Sequence, residues 1–184
     1  MKRSNWIISL GFIFSLSALP LASGGDQVQS GAVAIQKSEP FAYVCLEQKG
    51  PFEGIQDAIG SLVQEMQGQN IVPAGPLLGI YYNTPGEVSD QDLRWEMGFP
   101  VTAQVLIQPP LMKKEWNYTE SVVCLHQGAY EETGETISKM LDWMDDNGYR
   151  PAGPIMERYL DMNPEELSPE QLKTEVWIPC LKKT

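Results

Sequence analysis

The sequence predicts an α+β fold made of one unit, strand-helix-strand-strand, used twice, with the strands in one sheet and both helices on one face of it. Three internal matches carry this. Tyr43-Val-Cys-Leu-Glu-Gln-Lys-Gly-Pro-Phe-Glu53 is answered, with one residue dropped, by Val122-Val-Cys-Leu-His-Gln-Gly-Ala-Tyr-Glu131. Pro73-Ala-Gly-Pro76 recurs unchanged as Pro151-Ala-Gly-Pro154, 78 residues later. Trp95-Glu-Met-Gly-Phe-Pro-Val101 is answered by Thr174-Glu-Val-Trp-Ile-Pro-Cys180, 79 residues later. Three anchors in the same order mark a duplicated unit rather than coincidence.

The chain opens on a segment of different character. Lys2 and Arg3 precede an uncharged apolar run from Trp6 to Ala22, and the small residues Ser23, Gly24 and Gly25 follow. Residues 1–24 therefore read as a secretory signal peptide cut near Gly24. An uncleaved membrane anchor is the alternative, because 17 apolar or small residues lie at the short edge of a span. No cysteine follows the run, which argues against a lipid anchor. Residues 25–38 are polar and small with little periodicity, the composition of a flexible linker, and no site is expected there.

Repeat one occupies residues 39–108. A β-rich run at 41–47 closes on a glycine, and Ile55, Ile59, Leu62, Val63 and Met66 then recur at three- and four-residue steps, the signature of a helix with one apolar face. Pro73-Ala-Gly-Pro76 breaks the chain before two further strands near 77–83 and 94–101. Repeat two, residues 116–182, follows the same plan. Its first strand covers 119–126, and its helix carries Ile137, Met140, Leu141 and Met144, with Trp143 beside them as core. Glu131, Glu132 and Glu135 sit in the opening turns, where carboxylates favour the positive end of a helix. Asn147-Gly148 supplies a stop, and strands near 155–161 and 173–180 complete the copy.

The chain has 184 residues, 42% of them hydrophobic and 20% charged, a globular composition. Against 13 lysines and arginines stand 24 aspartates and glutamates, a net charge of −11. Cutting away residues 1–24 removes Lys2 and Arg3 and no acid, leaving 11 basic against 24 acidic residues, or −13. Such a surface lacks the electrostatic footprint of a nucleic-acid binder, so no nucleic-acid partner is expected. Cys45, Cys124 and Cys180 all lie in apolar, β-like stretches, the setting of small buried hydrophobes; one disulfide is the alternative. His126 is the only histidine, too few for a metal site, and a lone histidine gives little support to haem. Nucleophile elbow, phosphate loop and zincin motifs are absent, and neither metal nor cofactor is expected.

Strand alternation places Val176 and Ile178 on one face of the last strand and Glu175 and Trp177 on the other. In the equivalent strand Trp95, Met97 and Phe99 oppose Arg94, Glu96 and Gly98. Glu96 and Glu175 are thus matching positions on the face away from the helices, which is free to form a cleft or meet a partner.

Gly79-Ile-Tyr-Tyr-Asn83 with Pro85-Gly-Glu87, Glu96-Met-Gly-Phe-Pro-Val101, His126-Gln-Gly-Ala-Tyr-Glu131, Leu141-Asp-Trp-Met-Asp-Asp-Asn-Gly-Tyr149, Pro151-Ala-Gly-Pro154, Tyr159 and Thr174-Glu-Val-Trp-Ile-Pro179 together resemble the GyrI-like small-molecule-binding domain. This family is also described as the AraC or bacterial transcription-activator effector-binding domain. The likeness covers about residues 39–182. It implies two pseudo-symmetric repeats in one antiparallel curved sheet, helices on one face and a ligand cleft on the other. Such domains often follow a DNA-binding helix-turn-helix and take amphipathic, frequently cationic aromatic compounds beside an acidic residue. Some stand-alone members resemble hydrolases of cyclopropane-bearing toxins.

On this basis Glu175 is the first candidate for the cleft acid, since a carboxylate on a central strand can pair with a ligand cation or take a proton. The alternative is a solvated carboxylate paired with Lys173. Glu96 has the same geometry, with a surface pair to Arg94 as its alternative. Trp177 offers a wall for stacking and cation–π contact, or else serves as core. Tyr81 and Tyr159 occupy matching positions and look like the family's strand tyrosines, with ordinary packing the alternative. Tyr130 lies in the Gly-x-Tyr turn and reaches for the cleft rim or packs at the helix start. The expected protein is an exported monomer, periplasmic or secreted, that binds a small molecule and touches a membrane only through an uncleaved N-terminal segment. Two alternatives stand beside it: a hydrolase of strained electrophiles with Glu175 as general base, and an envelope interaction protein without a small ligand.

Overall fold

The computed structural model describes residues 30–184. The expected signal peptide and residues 25–29 of the expected linker lie outside the described residues.

Nine strands form one antiparallel sheet: β1 (Val33–Lys37), β2 (Phe41–Lys49), β3 (Leu77–Tyr81), β4 (Arg94–Pro100), β5 (Met112–Trp116), β6 (Glu120–Gln127), β7 (Tyr149–Pro151), β8 (Ile155–Tyr159) and β9 (Lys173–Lys182). Eight follow the order β1-β6-β9-β8-β3-β4-β2-β5, and β7 pairs with β9 beside that path. Two 14-residue helices, α1 (Ile55–Gly68) and α2 (Thr133–Asp146), start 78 residues apart. β3 and β8 pair at the middle of the sheet, Gly79 facing Glu157 and Leu77 facing Tyr159.

The sequence expectation differs at the edges. Residues 33–37, expected in a flexible linker, form β1 and pair with β6 from Val33↔Cys124 to Lys37↔Glu120. β5 was not expected as a strand; it pairs with β2 on the opposite edge. Five residues are too few to show a period, so each of these strands exists because a long central strand offers it a ladder.

The helices form where apolar residues recur along one stripe. α1 buries Ala58, Leu62 and Met66 against Val44, Trp95 and Met97 of β2 and β4. α2 buries Met140 and Met144 against Val122, Cys124, Val176 and Ile178 of β6 and β9, and partly buried Trp143 packs on the same cluster. Each fully buried side chain of this kind contributes about 1.5–3 kcal/mol. Gly148, at φ +75°, turns the chain after α2 in a conformation that other residues resist. The three cysteines are buried and unpaired, the arrangement of small hydrophobes.

Each helix therefore covers the outer strands of its own half, and neither covers the β3–β8 seam. The opposite face carries a third cluster: Tyr43, Cys45, Leu78, Ile80, Trp116, Val123, Met156 and Trp177. These residues, from six strands, are buried without a helix above them because the curved sheet and the Tyr118 segment fold over that face.

Candidate functional site

Between α1 and α2, over the seam, lies an open cleft of about 1480 Å³. This corrects the expectation of a cleft on the helix-free face. The physical reason is the spacing of the helices, which leaves the central pair bare on their own side, while curvature fills the other side with side chains.

The floor comes from the alternate residues of β3 and β8 that face the helices. Tyr81 and Tyr159 meet there, their hydroxyl oxygens 2.8 Å apart. Tyr159 donates to Glu157 Oε2 at 2.6 Å, so the shared proton of the tyrosine pair comes from Tyr81. The walls repeat the pairing: Phe52 stands edge-on to Tyr81 at 5.3 Å and Tyr130 edge-on to Tyr159 at 5.1 Å. Such contacts hold the rings in fixed orientations. Ile55, Ile59, Val63, Thr133, Ile137 and Leu141 complete the sides.

Glu157 is 5% exposed. Burial pushes its carboxyl above the usual carboxylate range, and the hydroxyls of Tyr159, Thr133 and Tyr81 and the nearby His126 offset this only in part. Burial, then the charge of Glu157, pushes the Tyr81 and Tyr159 hydroxyls up as well. Tyr130 is pushed up to about 12 by burial and then by Asp161. No lysine or arginine pairs with Glu157 among the described residues. Arg158 borders the cleft, but its side chain alternates to the other face, where it binds Glu175 at 2.6 Å and lies over Trp177. Glu53, Glu87, Glu131 and Asp161 also line the cleft, so the field inside it is negative.

Of the candidates from sequence, Tyr81, Tyr159 and Tyr130 come together here, and Glu175, Trp177 and Glu96 do not. Glu175 accepts from Arg158 and from the Trp177 indole N–H at 3.2 Å. Trp177 is core on the helix-free face. Glu96 is fully buried there, accepting from Tyr43 at 2.6 Å, Tyr82 at 3.1 Å and Lys114 at 2.5 Å. Both carboxylates already have a basic partner within this chain, Lys114 for Glu96 and Arg158 for Glu175. Sequence reasoning missed Glu157 and Phe52, though signals existed: Glu157 lies two residues from Tyr159 on one strand face, and Phe52 lies 78 residues before Tyr130. His126 bonds Thr136 at 2.8 Å and the Ala129 carbonyl at 3.1 Å, and no cluster of three metal-ligating side chains occurs among the described residues. A buried acid among aromatic rings, open to solvent on one side, is equipped to hold a cation or exchange a proton.

A family model described as a GyrI-like small molecule binding domain matches residues 32–181. No curated protein matches the chain in sequence. Among solved structures, the EcmrR C-terminal domain is similar at a TM-score of 0.72 and 17% identity, over 82% of this chain and 98% of that one. A hydrolase from Listeria innocua is similar at a TM-score of 0.63 and 17% identity, over 83% and 93%. SAV2435, solved bound to tetraphenylphosphonium, is similar at a TM-score of 0.55 and 14% identity, over 82% and 94%.

Proposed function

Because the chain belongs to the GyrI-like small-molecule-binding family, we propose that it is an exported protein that holds an amphipathic or cationic aromatic compound in the cleft between α1 and α2. The observation that carries this is Glu157, a buried carboxyl at the floor of an aromatic cleft with no basic side chain paired to it among the described residues. A ligand cation is the missing counter-charge. Binding it restores the charge balance that burial disturbs, and Tyr81, Tyr159, Tyr130 and Phe52 supply π-faces, each cation–π contact adding about 0.5–2 kcal/mol. Export rests on the pattern of residues 1–24. SAV2435, with its bound organic cation, supports the ligand class by likeness of fold.

The test is a thermal-shift and calorimetric screen of cationic and neutral aromatic compounds matched in shape. Binding raises apparent stability by mass action. Cationic compounds are expected to bind, Glu157→Gln to weaken their binding about tenfold or more while sparing neutral ones, and Glu175→Gln to change neither. Equal losses for both classes in Glu157→Gln would remove the charge role.

The hydrogen-bonded chain Tyr81–Tyr159–Glu157 favours a second reading, hydrolysis of a strained electrophile, with Glu157 in place of Glu175 as the base that takes a proton from attacking water. Product appearing by mass spectrometry when a bound electrophile is incubated with the protein, and not with Glu157→Gln, would establish it.

A further inference from the structure

Lining positions 78 residues apart differ mostly in one direction at the helix starts and the floor, whereas beyond the ends of β3 and β8 Tyr82 against Leu160 and Thr84 against Met162 run the other way. Ile55 opens α1 where Thr133 opens α2, and Phe52 stands where Tyr130 stands. Gly79 faces Glu157 directly across the β3–β8 seam. In each pair the polar member belongs to the second half. Ile59 with Ile137 and Val63 with Leu141 are alike, and Gln56 against Gly134 alone runs the other way among the helix positions that line both sides. Gly79 also shapes the floor. A Cβ there would meet the Tyr81 hydroxyl oxygen at 2.7 Å and two ring carbons at 3.0 Å, so the Tyr81 ring occupies the space a side chain would take. The first half thus presents an aromatic floor where the second presents a carboxyl.

From this asymmetry we infer that the cleft takes cations whose charge is at one end, held in a single orientation. The head sits at Glu157 beside Tyr159 and the first turn of α2. The apolar body runs across the seam onto α1, over Phe52, Ile55, Ile59 and Val63. A cation with its charge at the centre and bulk on every side fits less well, because one flank of it must desolvate the Tyr130 hydroxyl. This inference rests on the cleft binding a cation through Glu157.

Calorimetry with decyltrimethylammonium below its micelle concentration, butyltrimethylammonium and tetraphenylphosphonium tests it, together with intermolecular NOEs from the decyl terminal methyl. The decyl probe is expected to bind tightest, each added methylene improving affinity about two- to fourfold until the α1 wall is covered. NOEs are expected to Ile59 and Val63 and not to Ile137 or Leu141. Ile59→Ser should weaken the decyl probe about fivefold or more and the butyl probe less than about twofold, with Ile137→Ser sparing both. NOEs to Ile137 and Leu141, or tighter binding of tetraphenylphosphonium, overturn the orientation, while sensitivity to Glu157→Gln keeps the parent reading. No binding by any of the three cations overturns both. The NOE measurement uses the unaltered protein, so a variant that fails to fold does not decide the matter.

Discussion

At Glu157 two effects oppose each other: burial disfavours the charged carboxyl, and three hydroxyls favour it, with burial the larger. A carboxyl raised in the folded state costs stability once it must ionise, so its contribution is whole below the ordinary value near 4.5 and is lost as pH rises through the raised value. Glu157→Gln is therefore expected to match the ligand-free protein in melting temperature at acid pH and to exceed it at neutral pH; parallel curves across pH would refute this. Affinity for a cation should climb over the same window in the unaltered protein and stay flat in the variant. Tyr159 was legible as a candidate because it matches Tyr81 in the repeat and resembles the family's strand tyrosines. Glu157 was not, because one acid among 24 gains its meaning only from what surrounds it.

Among the elements, both helices were legible because each is long enough to display its period, as with Leu62 and Met66 in α1, and the five-residue central strands β3 and β8 because each follows a Pro-Ala-Gly-Pro breaker that recurs in both repeats. β1, β5 and β7 were not, since they are short strands outside or at the edge of the matched segments of the repeat and borrow their stability from a neighbour. Val33 and Ile35 of β1 pack against the α2 cluster, which ties the N-terminal edge to the second half. Ile35→Ser is expected to lower stability by about 1–2 kcal/mol in urea unfolding, and Lys37→Ser to stay within about 0.5 kcal/mol. A flexible linker at 33–37 would make the two substitutions equal. On the helix side, Leu62, fully buried, should cost about 2–5 kcal/mol as Leu62→Ala, a difference large enough to test in the same titrations.

The whole molecule is acidic, and the carboxylates bordering the cleft, Glu53, Glu87, Glu131 and Asp161, face no basic side chain within it. Long-range attraction of a cation is thus a property of the rim and the net charge rather than of Glu157 alone. The association rate of a cationic probe is expected to fall several-fold between low and high salt by stopped-flow fluorescence, in Glu157→Gln as in the unaltered protein, while a neutral probe is unaffected. The sequence by itself determined the class of fold, the positions of its helices and long strands, the tyrosines of the cleft and the sign of its field, because periodicity, spacing and composition are local or additive quantities. Which face carries the cleft, and whether Glu157 or Glu175 is its acid, only the tertiary structure decided. Both carboxylates lie on central strands, and what separates them is the spacing of two helices, the curl of the sheet, and the side of it on which Arg158 finds a partner.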